Sequence, residues 1–273
     1  MKVIREWKTM LIPYEQAVEE LKVKFKAIRN QYRELSEYSP IEFVTGRVKK
    51  ISSIIEKAER RNIALDKIEE EMEDIAGIRV MCQFIDDIYR VVDLIHERSG
   101  KDFKVLYEKD YIKNPKESGY KSYHIIVKYP VHTALGTKEI LCEFQIRTLA
   151  MNFWATIEHS LSYKYKSQIP DNVRERLRNS AIAATQLDEE MTEISKEVIN
   201  AQLLFEEKSN TIRDITTHIQ ILFSQGMEKE AVDFERRFEN IKDDDNMLVL
   251  EQLLSDIKKA LPRYNVFEKG ALR

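Results

Sequence analysis

Two cysteines in 273 residues exclude a disulfide-stapled scaffold. Both Cys82 and Cys142 lie inside apolar runs and read as buried thiols in a reducing compartment. With only 7 Gly and 6 Pro, the chain has little scope for long disordered or low-complexity segments. Charge of one sign is also missing. The 44 basic and 47 acidic residues are interspersed and leave a net charge of -3, unlike the basic field of a duplex-DNA binder. No run approaches the roughly 18 apolar residues that span a bilayer. Met1 to Met10 is charged and lacks the apolar stretch of a signal peptide, so a cytoplasmic protein is expected. What the chain does have is 43% hydrophobic residues, enough for a substantial core.

Apolar positions Val18, Leu21, Phe25 and Ile28 share one face of a helix predicted from Pro13 to about Leu35. Ser39-Pro40 interrupts it, and Thr45 is the expected cap of a second helix reaching about Arg61. Strands are predicted at Ile75 to Phe84, Phe103 to Leu106, Tyr120 to Tyr129 and Glu139 to Thr148. A helix is expected over Asp86 to Ser99, and Gly136 marks a hairpin. From Leu149 onward only helical patterns follow: Asn152 to Tyr165, Asp171 to about Glu207, then three short helices over Thr211 to Phe223, Glu228 to Ile241 and Leu248 to Leu261. Gly226, Asp243-Asp244-Asp245 and Pro262 are the expected breaks. The fold class is therefore α+β, a mixed sheet flanked by helices with an all-helical C-terminal extension. That extension reads as a packing or assembly appendage.

Three stretches place charged and aromatic groups at strand edges: Asp74 to Arg79, Ser118 to His124, and Glu143 to Arg147 running on to Trp154. Alternation puts Glu143, Gln145 and Arg147 on one strand face, which must be solvated or line a site. Asp74 and Glu143 are two hard oxygen donors from separate elements, the set Mg²⁺ takes when it bridges nucleotide phosphates. Arg47 is placed at the start of the second helix, with Lys49, Ser53 and Lys57 following at i, i+4 and i+8 as a row of phosphate donors. Arg79, a cation within an apolar strand, can stack on a base and pair with phosphate. Tyr120, Ser122 and His124 share a predicted strand face; Tyr120 can stack a base, and His124 is either a structural histidine or a phosphate donor. Asn152 offers both a donor and an acceptor to a base edge.

These motifs resemble the small alarmone synthetases of the RelA/SpoT family, from about Trp7 to Gln202. The resemblance rests on Ser39-Pro-Ile-Glu-Phe-Val-Thr-Gly-Arg-Val-Lys49, Asp74-Ile-Ala-Gly-Ile-Arg79, Glu117-Ser-Gly-Tyr120, and the run from Glu143-Phe-Gln-Ile-Arg147 to His159. It implies a nucleotidyltransferase-like core over residues 1–202 that transfers pyrophosphate from ATP to the 3′-hydroxyl of GTP or GDP, giving (p)ppGpp and AMP. It also implies that Arg47 and Arg79 sandwich adenine, and that Lys49, Ser53 and Lys57 hold the ATP phosphates. Asp74 and Glu143 would bind Mg²⁺, with Glu143 accepting the 3′-hydroxyl proton. Tyr120 would stack on guanine, Asn152 would read its edge, and Lys116, Lys121, His124 and Gln145 would line the acceptor phosphates.

Position 121 holds Lys where relatives commonly carry Arg, which weakens any bidentate phosphate contact there. The resemblance further implies a homotetramer and activation by product, pppGpp, at Lys26, Arg29, Phe43 and Thr45. It does not extend to residues 203–273. None of the 5 histidines precedes an Asp and no upstream room is left for a metal hydrolase domain, so no hydrolase activity is expected. The competing reading is a nucleotide-sensing, RNA-binding regulatory module with little catalysis, against which the two carboxylates argue.

Overall fold

The computed structural model describes residues 2–134, 136–164, 169–242 and 246–261. Two compact units result, Met1–Glu193 and Ile194–Arg273. The first is built on five strands: β1 (Phe43–Val48), β2 (Ala76–Cys82), β3 (Lys104–Asp110), β4 (Tyr123–Thr133) and β5 (Gly136–Thr148), in the spatial order β1-β2-β5-β4-β3. Only β2 and β5 run parallel; the other pairings are antiparallel. This is the α+β fold and mixed sheet expected from the sequence, with the hairpin turning at Gly136.

Helix α1 (Lys2–Glu34) lies against one face of the sheet. Its apolar stripe, Tyr14, Val18, Leu21 and Phe25, is buried with Ile78, Val80, Cys142, Phe144 and Ile146 from β2 and β5. Phe25 and Phe144 meet at 5.0 Å between ring centroids. The short α3 (Ile68–Glu71) precedes β2, and the buried residues Ile88, Val91 and Ile95 of α4 (Ile85–His96) join the same core. Cys82 and Cys142 are buried free thiols there. The helix starts well before Pro13, which it accommodates internally, because Trp7, Met10 and Leu11 continue the apolar stripe.

The larger departure from the sequence reading is at Thr45 and Arg47. Both lie on β1 rather than capping or starting a helix, and α2 begins only at Ile51 and ends at Arg61. Alternation decides this: Val44 points inward while Phe43, Thr45 and Arg47 face outward. Gly46 allows β1 to approach α1, since a Cβ there would sit 2.6 Å from Val18 Cγ1.

After β5 come α5 (Leu149–Lys164) and α6 (Asp171–Ser224). The sequence suggested a break between Glu207 and Thr211, but α6 has no Gly or Pro and runs unbroken; Gly226, at φ 78°, follows its end. In the second unit, Ile215, Ile219 and Leu222 of α6 are buried with Phe234 of α7 (Glu228–Ile241) and Leu250, Leu253 and Ile257 of α8 (Met247–Ala260). The predicted helix end at Tyr165 and breaks at 243–245 and Pro262 lie outside the described residues. Among the described residues, no helix is long and apolar enough to cross a membrane.

Candidate active site

The sheet face away from α1 carries the candidate chemistry, and strand register explains how. Arg47 of β1 sits opposite Gly77 of β2, which pairs with Glu143 of β5. One row along, Thr45, Arg79, Gln145 and His124 lie side by side across four strands. Residues paired in register share a face, so segments far apart in the sequence converge.

On that face five side chains close a hydrogen-bonded ring. Tyr120 Oη lies 2.7 Å from His124 Nε2, and His124 Nδ1 lies 2.9 Å from Glu143 Oε1. Gln145 Nε2 donates to Glu143 Oε2 at 2.7 Å. Arg147 Nη2 donates to Gln145 Oε1 at 2.9 Å and to Tyr120 Oη at 2.5 Å. His124 thus bridges Tyr120 and Glu143, one ring nitrogen to each. Burial pushes the Glu143 carboxyl up, but the bonded His124 and Gln145 more than offset it and hold it below the usual range. Glu143 is therefore ionised at neutral pH.

Asp74, just before β2, accepts from Lys49 Nζ at 2.8 Å and is paired with Lys57 Nζ at 2.7 Å, both through Oδ2. Burial raises its carboxyl, the two ammonium groups lower it further, and the net shift is downward. Lys57 moves down, because burial outweighs the attraction of Asp74. Asp74 Oδ1 is buried without a hydrogen-bond partner. Asp74 also raises the Glu143 carboxyl by its charge, so the two carboxylates sense one another. A buried carboxylate oxygen left open beside a second carboxylate fits a hard divalent cation that completes its shell with waters and substrate phosphates. Among the described residues no group of three or more His, Cys, Asp or Glu could hold a metal by itself.

A cavity of about 500 Å³ adjoins this cluster. Arg47 and Arg79 enter from β1 and β2, Lys116 and Tyr120 from the loop before β4, Gln145 and Arg147 from β5. Burial and the charges of Arg47 and Arg147 lower the Arg79 pKa. Lys116 Nζ stands 4.8 Å from the Tyr120 ring centroid and the Arg147 guanidinium carbon 5.1 Å, so a base stacking on Tyr120 would exchange places with a cation. Tyr120 itself precedes β4 instead of lying on it.

The remaining expected residues are placed unequally. Ser53 and Lys57 lie one turn apart on α2, and Lys49 precedes that helix. Asn152 is half-buried on the first turn of α5, outside the cavity lining. Lys121 is turned toward α6, in a small crevice with Gly119, Met151, Trp154 and Ala181. Lys26 is exposed on α1, Arg29 Nη1 donates to the Glu42 carbonyl, and Phe43 and Thr45 are exposed on β1. Arg147 was expected on the polar face of β5 but was given no role there, whereas its buried side chain holds Tyr120, Gln145 and Ser122. The signal was in the sequence: a guanidinium alternating with Glu143 and Gln145 needs buried partners. Ser118, Thr156, Glu158 and His159 also line the cavity.

Residues 46–168 match the region found in RelA / SpoT proteins. The GTP pyrophosphokinase YjbM of Bacillus subtilis is 57% identical over 204 residues, 75% of this chain and 95% of its own length. The small alarmone synthetase 1 of the same organism bound to its product pppGpp superposes with a TM-score of 0.68 at 57% identity, covering 71% of this chain and 98% of its own. Its complex with AMPCPP gives a TM-score of 0.63 at 53% identity, covering 72% and 99%. A sheet that gathers Asp74, Glu143 and their cations, together with relatives matched over nearly their whole length, makes this chain a member of the RelA/SpoT family, of the small alarmone synthetase type.

Proposed function

We propose that residues 1–202 form a GTP pyrophosphokinase that moves the β,γ-pyrophosphate of ATP onto the 3′-oxygen of GTP or GDP. The observation that carries this reading is the carboxylate pair: Asp74 with an open buried oxygen, beside an ionised Glu143, among Lys49, Lys57, Arg47 and Arg79. The relatives bound to pppGpp and to AMPCPP support nucleotides at both ends of the reaction.

In the transfer, the 3′-oxygen bonds to Pβ, the bond from Pβ to the bridging oxygen on Pα breaks, and AMP departs with that oxygen. Glu143 accepts the 3′-hydroxyl proton, held in place by His124 and Gln145. Asp74 Oδ1 and Glu143 would hold Mg²⁺, which supplies charge neutralisation to the transferred oxygens. Lys49 and Lys57, already desolvated against Asp74, give phosphates fixed cations to meet. Arg47 and Arg79 are set to clasp a base from two strands, while Lys116 and Tyr120 offer a cation and a ring to the acceptor.

The test is incubation of the purified chain with ATP, GTP and Mg²⁺, with Glu143→Gln alongside, separating nucleotides by anion exchange. Equal AMP and pentaphosphate, lost in the variant, supports the reading. Nucleotide binding without product defeats it in favour of a sensor.

A further inference from the structure

We infer that Asp188 is a positioning residue for this transfer: by holding Thr148, it fixes the first turn of α5 and the loop of residues 116–121 against α6. The inference rests on the proposed synthetase activity for its catalytic readout.

Thr148 is the last residue of β5, one position before α5 begins. Its hydroxyl donates to Asp188 Oδ2 at 2.6 Å and accepts from the Met151 backbone N–H at 3.1 Å. The first bond orients the oxygen for the second, which satisfies a donor that the helix start leaves open. Asp188 and Thr148 are both buried, at 5% and 0% exposure. That first turn carries Asn152, and the next two carry Ala155, Thr156, Glu158 and His159 of the cavity wall.

Helix α6, which carries Asp188, also braces the loop of residues 116–121. Gly119 has φ 87°, and a Cβ there would lie 2.5 Å from the Ala181 Cβ of α6, so backbone meets helix directly. Trp154 Nε1 donates to the Leu177 carbonyl at 2.9 Å, and Trp154, Ala181 and Tyr120 pack together. The charge of Lys121, from this loop, acts on Asp188, as does that of Glu189 on α6. Asp188 thus anchors the helix end from within α6 and attracts the loop on the acceptor side.

Burial carries the Asp188 carboxyl up to about 6, against the lowering by Thr148 and Lys121 and with a further rise from Glu189. Above that value it is charged, accepts from Thr148 and attracts Lys121 by charge; below it, that attraction disappears and the bond from Thr148 weakens. Because its native pKa is raised, its ionisation costs folding stability as pH rises through about 6.

The experiment uses the full chain as wild type, Asp188→Asn, Thr148→Val and Thr148→Ser. It combines steady-state transfer from about pH 5.5 to about 8.5 with hydrogen exchange of residues 149–153. Expected at neutral pH for Asp188→Asn and Thr148→Val is a rise of about tenfold in the acceptor KM, the scale of one charged hydrogen bond, with the ATP KM unmoved. The first turn of α5 exchanges faster in both, Thr148→Ser behaves as wild type, and the acid limb near pH 6 disappears in Asp188→Asn. The melting temperature of Asp188→Asn at neutral pH is not lowered. An acceptor KM within about twofold of wild type in Asp188→Asn and Thr148→Val, or unchanged exchange in both, overturns the inference. If wild type makes no product, the synthetase reading fails while the exchange comparison still decides the clamp.

Discussion

Strand β5 is solved twice, once on each face. Toward α1 it presents Cys142, Phe144 and Ile146, all fully buried among aliphatic and aromatic neighbours. Toward the site it presents Glu143, Gln145 and Arg147, of which Arg147 is as buried as many core residues, at 5% exposure. The apolar face is held by non-directional packing and tolerates rearrangement of equal volume. The polar face is held by directional bonds that fix each atom, because an unmet donor or acceptor at that depth costs the full desolvation penalty. The difference shows which face stores stability and which stores geometry.

Breaking the apolar face gives the largest effect. Phe144→Ala removes the ring between Phe25 and Phe103 and is expected to cost about 3–5 kcal/mol of stability, read by denaturant unfolding. Glu143→Gln should do the converse: about 3–4 kcal/mol added to the transfer barrier, measured as AMP release, with a much smaller change in unfolding midpoint. An unfolding loss matching that of Phe144→Ala would erase the contrast between the faces.

Acid sharpens it further. Asp74 and Glu143 both have carboxyls below the usual range, so their contribution to stability is present above the unfolded values of about 3.9 and 4.3. That contribution is lost as pH falls below those values, through the depressed native pKa values. Thermal melts of wild type and Asp74→Asn should converge on acidification through that window. The smallest effect belongs to Lys121→Arg. Lys121 is turned toward α6 and away from the cavity, so stability and turnover should change by no more than about 0.5 kcal/mol.

Alternation along β5 was readable from the sequence because a period-2 pattern is a local signal; the convergence of Asp74 with Glu143 followed only on the condition that their strands share a sheet, which the pairing of β2 with β5 meets. The strand at Thr45 and Arg47 was not, since a six-residue edge strand with one Gly carries a weak pattern beside a longer helical one. Arg147 as the closing member of the ring and the Thr148 to Asp188 bond depend on tertiary placement across 27 and 40 positions, and Lys121 reaches Asp188 of α6 across a still longer span. No periodicity reports a contact of that span. The continuity of α6 was legible in principle from its lack of Gly and Pro, but Thr211 to Phe223 read as a separate short amphipathic helix.

The closed ring of Tyr120, His124, Glu143, Gln145 and Arg147 has a consequence for how variation at this site behaves. Each member is oriented by two others, so removing one releases its neighbours from their places. Substitution effects on members of one network do not add. In genetic terms the five positions form a single locus: the first change carries most of the loss, later ones add little, and a path through single replacements to a different arrangement must cross that first loss before any gain can follow.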